Sequence, residues 1–105
     1  MKKELLKLLL DIDDDSKHDT TTFYKIGESY LIRTVTMIYT GRIKAINDTQ
    51  LLLEDAAWIP ETERWADCVR DCTFKEVEPY TNDVILHLGA ILDSTKINTL
   101  PRAQK

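Results

Sequence analysis

The groups in this 105-residue chain that could carry chemistry are two cysteines, two histidines and 18 carboxylates. Cys68 and Cys72 stand four residues apart, which is neither a redox Cys-x-x-Cys pair nor good disulfide geometry on a helix. Their thiolates would suit zinc with His18 or His87, but no spacing gathers such a set; two reduced, half-buried cysteines and no metal are expected. A cysteine or serine nucleophile needs a base beside it. His18 lies in an acidic stretch and His87 alternates with Leu86 and Leu88, so neither is placed for that work. Asp11, Asp13 and Asp15 match the first oxygen positions of a calcium loop, yet Ser16 and Thr22 stand where glycine and glutamate are required. Glu54 and Asp55 close a strand, an ordinary place for charge. Gly27, Gly41 and Gly89 are too scattered to cradle a phosphate. The expectation is therefore a binding protein, with no enzyme activity and no cofactor.

The length allows one domain with a modest core, spanning residues 1–105. A net charge of -4 opposes indiscriminate binding to nucleic-acid phosphates. The apolar run at residues 5–10 is interrupted by Lys7 and is too short to span a membrane, so a cytoplasmic protein without a membrane partner is expected.

The elements that must position any site centre on residues 30–59, which read as three antiparallel strands. β-Branched and aromatic residues fill both faces of residues 30–39, and Thr40-Gly41 suggests a tight turn using the positive φ that glycine tolerates. A second strand follows from Ile43, Asn47-Asp48 makes the next turn, and Leu51 to Leu53 open the third strand. Leucines in residues 1–10 predict an N-terminal helix, and residues 11–22 an acidic loop. Pro60 with Glu61 and Glu63 suggests a helix start, giving a helical insertion over residues 60–72 flanked by Trp58 and Trp65. Those tryptophans could stack a planar ligand, but anchoring the insertion or a subunit contact is the favoured reading. Residues 74–78 read as an exposed strand, residues 84–93 as an apolar strand broken at Gly89, and residues 94–105 as a tail that is loosely ordered or lies across another surface.

This order of elements resembles the Sm-like family of small β-barrels, within the wider SH3-like class. The residues carrying the resemblance are Val35, Met37, Gly41, Ile43, Asp48, Leu51, Leu53, Glu54 and Asp55 for the first motif, and residues 85–92 with Gly89 for the second. The resemblance implies a mainly β barrel of about five strands that forms homo-oligomeric rings by edge-strand pairing. Residues 74–78, with Phe74 and Val77, and residues 84–93 are the strands it would use. It also implies an RNA or nucleotide site at the turns around Asp48 and Gly89, served by Arg33, Arg42 or Lys44 and by Trp58 or Tyr80. The family's pocket arginine is replaced here by Leu88, and Thr49-Gln50 follows Asp48 where an asparagine is usual. A structural adaptor contacting other proteins through Trp58 and Trp65 is therefore the first expectation, with RNA or nucleotide binding as the alternative.

Overall fold

A computed structural model describes residues 22–105. The expected N-terminal helix and residues 11–21 of the acidic loop, His18 among them, lie outside the described residues. The described chain forms β1 (Ser29–Thr34), β2 (Ile38–Ile46), β3 (Gln50–Thr62), α1 (Trp65–Asp71), β4 (Phe74–Pro79), β5 (Val84–His87), a 3-10 turn (Leu88–Ala90) and β6 (Ile91–Lys96). All strand pairings are antiparallel, in the order β4-β3-β2-β1-β6, with β5 also on β3. The fold is thus mainly β. Its sheet has six strands and does not close: β4 and β6 end an open path, which corrects the expected closed barrel of about five strands.

β4 and β5 act as one interrupted strand. β5 pairs with Gln50 to Leu53 at the start of β3, and β4 pairs with Ala57 to Thr62 at its far end.

The first turn is not at Gly41. Thr34 ends β1 by folding its hydroxyl back: Thr34 Oγ1 donates to the Met37 carbonyl at 2.8 Å and accepts from the Met37 N–H at 3.0 Å. The chain therefore reverses over residues 35–37, and Gly41 lies inside β2. Its role there is clearance, since a Cβ at Gly41 would sit 3.0 Å from both Cβ and Cδ1 of Leu53. The second turn is at the expected place, where Asn47 Oδ1 accepts from the Thr49 and Gln50 N–H groups at 2.9 and 2.8 Å.

β3 changes face part-way along. Thr40 pairs with Ala57 and Arg42 with Glu54, so Asp55 and Ala56 together oppose the single residue Gly41. Asp55 adopts φ 52°, the left-handed conformation of a bulge. Leu51, Leu53 and Ala56 consequently face one core with Tyr30, Ile32, Ile43 and Leu86, whereas Ala57 and Ile59 face a second core with Leu31, Cys68, Phe74, Val77 and Ile97. The sheet is buried on both faces.

β3 runs through Pro60 to Thr62, so the helix begins at Trp65 and not at Pro60. Proline's missing N–H is tolerated because β2 ends its pairing at Trp58 and the β4 ladder shifts register between Trp58 and Glu61. α1 then lays Cys68 into the second core, with Val69 and Cys72 beside it. Phe74 and Val77 are 2% and 1% exposed, which corrects the exposed strand expected at residues 74–78.

Residues 97–105 cross the second core as a strap. Ile97 is buried and Leu100 packs on the same cluster. The Arg102 guanidinium donates to the carbonyls of Ala56 at 2.6 Å and Tyr80 at 3.0 Å. Val77 and Lys105 exchange backbone hydrogen bonds at 3.0 and 3.1 Å, so the strap runs from the end of β6 to the outer edge of β4.

Thr40 is fully buried and its Oγ1 has no hydrogen-bond partner among the described residues. A buried hydroxyl left unsatisfied loses its hydration without return. Thr40→Val keeps the shape and removes that loss, and is expected to raise the unfolding free energy by about 1 kcal/mol, measured by urea denaturation. A lower stability would mean that the hydroxyl is satisfied in solution.

Candidate functional site

The cations expected to hold a ligand are each held by carboxylates from neighbouring strands. Arg42, on β2, reaches Glu54 at 3.0 Å and also Asp55, both on β3. Lys44 meets Asp83 at 2.8 Å. Hydrogen bonding to these carboxylates, from Glu54 first in the case of Arg42, raises the pKa of both cations. Arg33 forms a forked pair with Asp93, 3.1 Å from Nε and 2.5 Å from Nη2, while its guanidinium carbon lies 5.5 Å from the Trp65 ring centre. None of the three is grouped with Asp48 or Gly89.

The Arg33 hydrogen bond holds the Asp93 carboxyl below the usual carboxylate range. A lowered folded-state pKa stabilises the protein above the ordinary carboxylate pKa, and that contribution fades as pH falls through the folded value. The Asp93 carboxyl carbon is therefore expected to titrate by NMR below a typical exposed aspartate and to move upward in Arg33→Ala. An unchanged midpoint would dissolve the pair.

The two turns of the expected nucleotide site do meet. Leu88 N–H donates to the Thr49 carbonyl at 2.8 Å, and Asp48 and Leu88 line a shallow depression with Tyr24, Ile46 and Asn47. No cation among the described residues lines it, and a Cβ at Gly89 would meet open space. The depression offers apolar surface and a carboxylate, a poor match for phosphate.

Cys68 is buried and unpaired, and burial followed by Cys72 and Asp67 pushes its thiol pKa up. His87 pairs in register with Gln50 at the start of β3, whereas α1 with its two cysteines follows the end of β3. No three His, Cys, Asp or Glu side chains gather as a metal set among the described residues. No described helix is long and apolar enough to cross a membrane.

The tryptophans are differently placed. Strand register sets Ile32, Tyr39, Trp58 and Glu78 in one row across β1 to β4, on the same face of the sheet. Trp58 is 36% exposed, Tyr80 38% and Met37 42%. The Tyr39 and Tyr80 rings lie 6.4 Å apart and tilted by 31°, and Tyr39 Oη donates to Met37 Sδ at 3.3 Å. Burial first, and Tyr80 second, raises the Tyr39 phenol pKa. The result is an exposed aromatic face at the rim of the first core. Comparison with protein-family models, curated proteins and solved structures gave no match. The face must therefore be read from its own chemistry. Such chemistry suits contact with another protein: rigid aromatic rings and methionine supply apolar area at small entropic cost, and Tyr80 keeps a polar tip.

Trp58 and Trp65 were legible as candidates, but Tyr39, Met37 and the Glu78 partner of Trp58 were not. Strand register joins Tyr39, Trp58 and Glu78, Met37 is linked through the Tyr39 hydroxyl, and no sequence spacing announces either.

Proposed function

We propose that this chain is a non-enzymatic adaptor or assembly module of the cytoplasm, an Sm-like member of the SH3-like class that associates with itself and with other proteins. The observation that carries this reading is the patch in which exposed Trp58, Tyr80 and Met37 surround the half-buried Tyr39 at the rim of the first core. Its alternative, an RNA- or nucleotide-binding ring, draws on the meeting of the Asp48 and Leu88 turns. The ion pairs of Arg33, Arg42 and Lys44 weigh against it, because a phosphate would have to displace a carboxylate from each.

Native mass spectrometry of the purified protein tests both. The adaptor reading expects a discrete multiple of the 12.1 kDa chain with no nucleotide mass, shifting to smaller species in Trp58→Ala. Copurifying nucleotide that disappears in Arg42→Gln/Lys44→Gln would replace it with the alternative. A clean monomer would remove self-assembly from the proposal.

A further inference from the structure

The exposed aromatic face carries an electrostatic feature that its apolar character does not explain. Glu61 on β3 stands directly opposite Glu76 on β4, and Glu78 stands directly opposite Trp58. Glu76 and Glu78 are two apart on the same strand, so their side chains leave the same face of the sheet. Like charges directly opposed across two strands repel. Elsewhere the described residues avoid such contacts: Arg33, Arg42, Lys44, Arg70 and Lys96 each sit on a carboxylate. No ion pair among the described residues touches Glu61, Glu76 or Glu78, and the bond found on Glu78 is a long one from Gln104 at 3.4 Å.

We infer that this face, Tyr39, Trp58 and Tyr80 together with Glu61, Glu76 and Glu78, docks an extended segment of a partner protein bearing lysine or arginine at alternate positions. The inference rests on the adaptor reading and names the partner's chemistry. A lysine or arginine stem can lie on the Trp58 ring, where the ring's negative face attracts the cation, and its head can reach Glu78 in the same row. The next carboxylate of that sign, Glu76, lies two residues along β4, roughly 7 Å away in a strand, which is the repeat of side chains on one face of an extended partner. A cation between Glu61 and Glu76 would also bridge two opposed carboxylates that no ion pair among the described residues satisfies, so charge complementarity favours docking there. RNA is excluded as an occupant of this face by the sign of its charge.

The test uses the full chain carrying Trp65→Phe, so that Trp58 is the remaining tryptophan and reports on its own face. The probe is a synthetic peptide of alternating lysine and threonine, compared with the same peptide carrying glutamate for lysine and with spermidine. Saturable change in Trp58 fluorescence is expected with the lysine peptide, weakened by added salt and absent with the glutamate peptide. Glu76→Gln/Glu78→Gln should weaken it at least tenfold, and Trp58→Ala, followed by peptide anisotropy, should abolish it. Glu76→Gln/Glu78→Gln keeps the side-chain shapes and is expected to melt no lower than the parent, which separates lost binding from lost folding. Binding that is unchanged in the glutamine variants overturns the assignment, as does spermidine binding as tightly as the peptide. Failure of the parent to bind the lysine peptide overturns the cationic partner alone. The adaptor reading is judged separately, by the native mass.

Discussion

Phe74→Ala is expected to lower the unfolding free energy by about 3–5 kcal/mol, measured by urea or thermal denaturation. Phe74 is 2% exposed and packs where β3, β4, α1 and the strap converge, among Leu31, Ala57, Ile59, Cys68, Val77 and Ile97. Truncation there removes the ring's transfer free energy and leaves a cavity that two β-strands and a strapped tail cannot easily collapse. The alternative role, an edge-strand residue in a subunit contact, makes the opposite prediction. Truncation of an interface residue would reduce the oligomer's mass while the isolated chain kept its own stability. A midpoint unchanged at low protein concentration would therefore reject the core placement.

The second large effect is at Gly41. Gly41→Ala is expected to destabilise by about 1–3 kcal/mol, because the new methyl meets Leu53 Cβ and Cδ1 at 3.0 Å inside a packed core. The sign is informative: an unstrained glycine-to-alanine change stabilises by about 0.4–1 kcal/mol through the unfolded chain. Asparagine sharpens the test. If Gly41 served a turn with positive φ, asparagine would be milder than alanine; if it serves clearance, asparagine adds the same Cβ and more, and is at least as harmful. Leu53→Ala removes Cγ and Cδ1 but leaves Cβ, so combining it with Gly41→Ala should cost less than the sum of the two single changes.

The strands were readable because their composition is read locally. Alternating β-branched and aromatic residues marked β1 and β2, and Asn47-Asp48 marked the turn between β2 and β3. What escaped depended on partners distant in sequence. Gly41 carried the signature of a turn, and only Leu53 across the ladder reveals that it makes room. The sequence Leu51, Leu53, Ala56, Ala57 and Ile59 has no single alternation, since the left-handed Asp55 moves the odd positions from one core to the other. Pro60 has the credentials of a helix start, yet the one-sided pairing of β3 at that point lets it sit in a strand. Residues 94–105 read as a tail either loosely ordered or lying across another surface; residues 94–96 instead extend β6, and residues 97–105 lie across the second core with few apolar anchors, Ile97 and Leu100, because Arg102 and the Lys105 backbone do the rest. Arg33, Arg42 and Lys44 looked available for a ligand for the same reason: Asp93, Glu54 and Asp83 become neighbours through strand pairing or tertiary packing.

The strap also divides the fold into two parts that close separately. The first core draws on Tyr30 through Leu86, with Leu88 and Ile91 packed at its border, so it holds all of its residues without residues 97–105. The second core needs Ile97 and Leu100, and β4 gains its outer backbone partner only with Lys105. Without residues 97–105 one face of the sheet can close while Phe74, Val77 and the outer edge of β4 stay uncovered. A purified chain ending at residue 96 is thus expected to protect the amides of Leu51 and Leu53 from exchange while leaving Cys68 open to thiol labelling, and residues 97–105 should hide it.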